Sequence, residues 1–103
     1  MAFRINLARV IERLDGPADA RGMLQMIVKD SLATLGEQHP TTLSASECLA
    51  SNYMLTPATC LQAKEILGKI LQRSTLAFGN ENRRTQRIKA MLEEAEALIP
   101  KQD

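Results

Sequence analysis

Apolar residues along this chain recur every three or four positions and nowhere alternate with polar ones over the length of a strand, which is the pattern of amphipathic helices. Ile5, Leu7, Ala8, Val10, Ile11 and Leu14 form one such stripe. The segment DGPAD, Asp15 to Asp19, breaks it with a turn and a proline suited to a helix start. A second stripe passes through Ala20, Leu24, Ile27, Val28, Leu32 and Leu35, then closes at Gly36, a residue that tolerates the positive φ of a helix C-terminus. The segment HPTTL restarts the chain, with Pro40 fitted to a first helical turn and Leu43, Ala45, Leu49, Ala50 and Tyr53 facing inward. Pro57 interrupts again. Leu61, Ala63, Ile66, Leu67, Ile70, Leu71 and Leu76 carry a fourth helix to Gly79, and a fifth spans about Arg83 to Leu98, with Ile88, Met91, Leu92, Ala95 and Leu98 on one side and Pro100 at its exit. The expectation is an all-α chain forming a single domain over residues 1–103, about five helices whose short loops favour antiparallel neighbours.

The stripes repeat. Leu7-Ala8 with Ile11 returns as Leu49-Ala50 with Tyr53 at an offset of 42. Ala20, Leu24, Ile27 and Leu35-Gly36 return as Ala63, Leu67, Ile70 and Phe78-Gly79 at an offset of 43, so one extra residue belongs in the second hairpin loop. Thr42, Ala45 and Leu49 reappear as Thr85, Ile88 and Leu92, again at 43. A period of this length is the mark of stacked supersecondary units, none of which can bury its apolar face alone. Small residues at Ala8, Ala20, Ala50 and Ala63 let paired helices approach closely, and the aliphatics around them fill the space between hairpins. The expected architecture is an antiparallel helix-hairpin stack of two and a half repeats: one over about residues 3–36, a second over about 39–79, and a half repeat or cap over about 80–100.

Leu35-Gly36, His39-Pro40, Thr42-Leu43, Leu49-Ala50, Tyr53 and Ala63 together resemble the tetratricopeptide repeats of kinesin light chains and the related long-period repeats of signalling proteins. The resemblance covers most of the chain unevenly. The third unit has Asn82-Arg83 in place of His-Pro and Leu92-Glu93 in place of Leu-Ala, and its segment LEEAEALIPKQD suits a polar cap. The resemblance implies an α-solenoid whose first helices line a concave groove that holds a peptide or helical segment of a partner. An Asn just before the Leu-Ala pair would hydrogen-bond the ligand backbone; Asn6 stands there in the first unit, Cys48 in the second and Met91 in the third. The implied groove comprises Asn6, Arg9, Arg13, Ser44, Glu47, Cys48, Ser51 and Arg87, with arginines on both flanks of a nearly neutral centre and an acidic peptide as the expected partner.

Composition narrows the chemistry. A formal charge of +1 offers no bulk attraction to nucleic acid or anionic membrane. The charge is unevenly spread: residues 30–63 hold Asp30, Glu37 and Glu47 with no Lys or Arg, whereas residues 64–89 hold seven bases against Glu65 and Glu81. The RRTQRIK segment, Arg83 to Lys89, is the only one that invites phosphate contacts, but no aromatic residues flank it for base stacking, and nucleic acid is not the expected partner. Two cysteines and one histidine fall short of a zinc site or a disulfide framework, no glycine-rich phosphate loop occurs, and no metal or other cofactor is expected. His39 lacks a patterned nucleophile and orienting acid, and reads as repeat punctuation; Cys48 reads as a small inward hydrophobe. No apolar run reaches the roughly 20 residues of a membrane helix, and the N-terminus lacks a signal peptide's apolar region, so a cytoplasmic protein is expected. The function expected is non-catalytic protein–protein interaction, the alternative being a self-associating or capping fragment of a larger repeat protein, joined through an exposed apolar end of the last helix.

Overall fold

In the computed structural model, which describes residues 2–99 and side chains from Arg4 onward, five α-helices follow one another: α1 (Ala2–Asp15), α2 (Pro17–Leu35), α3 (Pro40–Met54), α4 (Cys60–Phe78) and α5 (Arg83–Leu98). A single 3-10 turn, Pro57–Thr59, precedes α4, and no strand occurs among the described residues. The α4 and α5 bounds fall where the periodicity predicts.

Local chemistry accounts for the boundaries. Gly36 and Gly79 end α2 and α4 at φ of 88° and 86°, a region costly for any residue with a Cβ, and their amides close the last turns onto the Leu32 and Thr75 carbonyls at 3.2 and 2.9 Å. His39 and Asn82, also 43 apart in sequence, then cap the next helices: His39 Nδ1 accepts the Thr41 amide at 3.1 Å and Asn82 Oδ1 accepts the Arg84 amide at 2.9 Å. The lone histidine is therefore an N-cap, and Asn82 performs the same task where the third unit departs from His-Pro. Between α3 and α4, the Thr59 hydroxyl donates to the Tyr53 and Thr56 carbonyls, holding the 3-10 turn.

Each helix packs on the next, and α1 also meets α3 while α3 meets α5. The odd helices thus run in series, with α2 lying against both α1 and α3, and α4 against both α3 and α5. The shortest dimension, 20 Å, is that of two helix layers. Ala8, Ala20, Ala50 and Ala63 are all fully buried, as close helix approach requires. One apolar cluster joins Ala8, Leu24, Ile27, Ala45 and Leu49; the other joins Leu43, Ala50, Ala63, Leu67, Ile70, Ile88 and Ala95; Tyr53 and Ile66 touch both.

Several residues assigned inward from periodicity are exposed: Leu7, Val10 and Leu14 on α1, Leu32 and Leu35 on α2, Leu61 and Leu76 on α4. Leu61 and Leu76 lie six and nine positions from Leu67, well round the helix from the stripe that Ala63, Leu67, Ile70 and Ser74 bury. The last helix corrects the expectation in the other direction. Of its five apolar positions, Ile88 and Ala95 are fully buried, Met91 and Leu92 half-buried, and only Leu98 is exposed. No helix among the described residues is long and apolar enough to cross a membrane.

Candidate functional site

Helix α3 meets both α1 and α5, and Glu47 on it holds two side chains of α5. The Glu47 side chain is 9% exposed and receives Arg84 Nη1 on Oε2 at 2.7 Å, Arg87 Nε on Oε1 at 2.7 Å, and Arg87 Nη2 on Oε2 at 3.2 Å. Arg84 Nη1 also donates to Ser44 Oγ at 2.9 Å. Two one-turn pairs meet here, Ser44 and Glu47 on α3 with Arg84 and Arg87 on α5, so the contact ties the last two odd helices together as well as neutralising the acid. Hydrogen bonding to Glu47 raises the Arg87 pKa, which keeps that guanidinium charged.

Cys48 adjoins this cluster. Burial pushes its thiol up from the ordinary thiol range, Arg9 opposes the shift, Glu47 and Glu12 add to it, and Arg87 opposes it. Charges on α1 (Arg9 and Glu12), α3 (Glu47) and α5 (Arg87) thus all act on one sulfur. A thiol made less acidic is a poor nucleophile at neutral pH. Cys60, the second free cysteine, is buried at the start of α4 beneath the Met54 and Thr56 carbonyls.

Of the eight residues implied for the groove, Ser44, Glu47, Cys48 and Arg87 come together, with Arg9 close enough to act on Cys48. Asn6 and Arg13 are exposed on α1 and Ser51 is half-buried on α3, with no side-chain hydrogen bond or ion pair among the described residues. Arg87, expected as part of the groove's basic lining, has its guanidinium held by Glu47, and Arg84 donates to the Ser44 hydroxyl. Arg84 itself, read from sequence only as part of a basic run, proves to be the more buried partner of the acid, 21% exposed against 50% for Arg87. With both arginines engaged, Arg83 and Lys89 are left as the exposed cations of that run.

A second polar network went unforeseen. Asn52, fully buried in α3, donates through Nδ2 to Glu12 Oε2 at 2.8 Å and to the Pro17 carbonyl at 2.9 Å, while its Oδ1 accepts Arg21 Nε at 2.9 Å. The Arg21 guanidinium carbon lies 4.6 Å from the centre of the Tyr53 ring, and Gln25 Nε2 donates to the Tyr53 hydroxyl at 2.8 Å. One amide thereby joins α1, α2 and α3. A signal existed: Asn52 occupies the register of Val10 and Ala95, where the other two units are apolar.

No family model, curated protein or solved structure matches the chain. The odd helices carry seven bases (Arg4, Arg9, Arg13, Arg83, Arg84, Arg87 and Lys89) against six acids (Glu12, Asp15, Glu47, Glu93, Glu94 and Glu96), a surplus of one positive charge. Among the described residues Arg9 and Arg13 make no ion pair.

Proposed function

We propose that this chain is a non-catalytic protein–protein interaction module of tetratricopeptide type, a short α-solenoid that holds an acidic peptide on the face of α1, α3 and α5. The observation that carries the reading is the junction of α3 with α5, where Glu47 holds Arg84 and Arg87, together with Arg9 and Arg13 on α1, which make no ion pair among the described residues. Packing of α2 and α4 against successive odd helices supports the hairpin stack. The repeated glycine stops and the repeated caps at His39 and Asn82 support the register of the units. Glu47 fixes Arg84 and Arg87 in place, and the unpaired Arg9 and Arg13 are left to receive carboxylates. A raised thiol pKa at Cys48 and a capping role for His39 favour binding over catalysis. A cytoplasmic setting, in which both thiols stay reduced, belongs to the same proposal.

The test is selection of binders from a random peptide library, followed by anisotropy titration of the selected sequences. Acid-rich peptides should be recovered, and charge reversal at Arg9→Glu with Arg13→Glu should weaken them by about tenfold or more, each charge-assisted contact contributing about 1.5–3 kcal/mol before screening. Both substitutions fall on residues outside the buried clusters, so the thermal midpoint should hold. Selected peptides that bind the double variant with full affinity would move the interface away from this face.

A further inference from the structure

The internal repeat shows what ought to cover a part of the molecule that is bare. Leu7 and Val10 of α1 correspond to Leu49 and Asn52 of α3 and to Leu92 and Ala95 of α5. Leu49 is 7% exposed, in one cluster with Leu24 and Ile27 of α2, and Asn52 is 0% exposed beneath Arg21. Leu92 packs on the cluster containing Leu67 and Ile70 of α4, and Ala95 is 0% exposed. Leu7 and Val10, by contrast, are 41% and 47% exposed, and Leu14, one further turn along, is 77% exposed. The preceding even helix covers this position in the second and third units; among the described residues nothing covers it in the first.

The other end differs in chemistry. Ala8 and Ala50 face the hairpin partner in the first two units and are fully buried, whereas the same register in α5 holds Glu93, flanked by Ala90 and Ala97, all exposed. Leu98 is the one large apolar residue exposed on α5, beside Glu93, Ala90 and Ala97, whereas α1 exposes Leu7, Val10 and Leu14 together, so the larger apolar stripe is that of α1.

We propose that the bare α1 face docks an amphipathic helix of a partner protein, with apolar residues in the spacing that α2 and α4 use and acidic residues along one border. The spacing follows from the covering helices: Ala20, Leu24, Ile27 and Ser31 in α2, and Ala63, Leu67, Ile70 and Ser74 in α4, are the residues each buries. The acidic border follows from Arg13, which adjoins the stripe, with Arg9 beyond it, both without an ion pair among the described residues. The same arginines argue against a second copy of this chain as occupant. Two antiparallel α1 helices related by a two-fold axis would set the Arg9 and Arg13 borders against each other, a like-charge contact.

The probe is a 19-residue peptide with the α4 sequence, Cys60–Phe78, carrying Lys64→Glu, Lys69→Glu and Arg73→Glu, titrated into the isotope-labelled full chain and followed by amide shifts. Shifts should centre on α1. Leu7→Asp with Val10→Asp should lower the affinity by about tenfold or more, and Arg13→Glu by severalfold, with unchanged helix content and thermal midpoint because these residues are exposed. The unmodified basic α4 peptide should bind more weakly than the acidic one. Absence of shifts at millimolar peptide, or shifts centred on α5, would overturn the proposal. So would a dimer of the unliganded chain that Leu7→Asp with Val10→Asp dissolves, which would give the face to a second copy.

Discussion

Replacing Glu47 by Gln removes one charge without changing the shape of the side chain, and its consequence can be worked from three distances. Arg84 Nη1 and Arg87 Nε each sit 2.7 Å from a carboxylate oxygen and Arg87 Nη2 sits 3.2 Å away. With glutamine, one oxygen is left to accept, and the amide N–H2 group faces guanidinium donors. Hydrogen bonds to charged groups contribute about 1.5–3 kcal/mol when protected and fall toward about 0–1 when solvent reaches them. Arg84 is 21% exposed and lies near the protected limit; Arg87, at 50%, lies near the exposed one. The expected loss is therefore about 2 kcal/mol, most of it through Arg84. For an m of about 1–2 kcal/mol/M in urea, the unfolding midpoint drops by roughly 1–2 M. Arg84→Gln should cost more than Arg87→Gln, and the cycle combining Glu47→Gln with Arg84→Gln should give a coupling of about 1 kcal/mol or more. High salt should leave most of the effect in place, because the acid is buried. A loss under about 0.5 kcal/mol, or equal effects of the two arginine variants, would refute the claim that Glu47 clamps α5 to α3.

Asn52→Ala removes the amide that joins Glu12, Pro17 and Arg21 and leaves a carboxylate and a guanidinium short of partners; urea unfolding should show a loss of about 2–3 kcal/mol, and a near-neutral result would separate the network from stability. Ala50→Leu and Ala63→Leu each force an isobutyl group into a fully buried position of the same cluster, for a loss of about 1–3 kcal/mol read as a shift of the denaturant midpoint. Thiol alkylation should modify Cys48 slowly at neutral pH and spare Cys60 until the chain unfolds. Because the folded Cys48 pKa is raised, the unfolded chain gives up that proton first; stability should begin to fall as pH rises through the ordinary thiol range, and less so in Cys48→Ala, as thermal melts against pH would show.

The boundaries of the helices were legible because they are set by neighbouring residues. Gly36 with His39 and Gly79 with Asn82 stop one helix and cap the next within four positions, and a local rule suffices to find them. The exposure of Leu14, Leu61 and Leu76 was not legible, since periodicity marks the centre of an apolar stripe while its width depends on which neighbours cover it. Glu47 was identified as a groove residue from its register, but its partners were not, because a contact across 37 and 40 residues depends on how far α5 slides along α3. The bonded pairs, Ser44 with Arg84, Glu47 with Arg87 and Glu47 with Arg84, are 40, 40 and 37 apart, none of them at the 43-residue spacing that relates equivalent positions.

The residues of this contact do not recur between the odd helices. In the repeat register Glu47 corresponds to Ile5 and Ala90, and Cys48 to Asn6 and Met91. The buried alanines and aliphatics recur at 42–43 residues, whereas the residues that make these polar contacts do not. Asn52 follows the same logic, standing where α1 has Val10 and α5 has Ala95, and its three hydrogen bonds give the first junction a polar lock of its own, where the second has the Glu47 ion pairs and the buried Ser74–Thr85 hydrogen bond. The departures from the repeat are therefore where the specific chemistry of this chain lies, and they concentrate along α3, the helix that touches all the others.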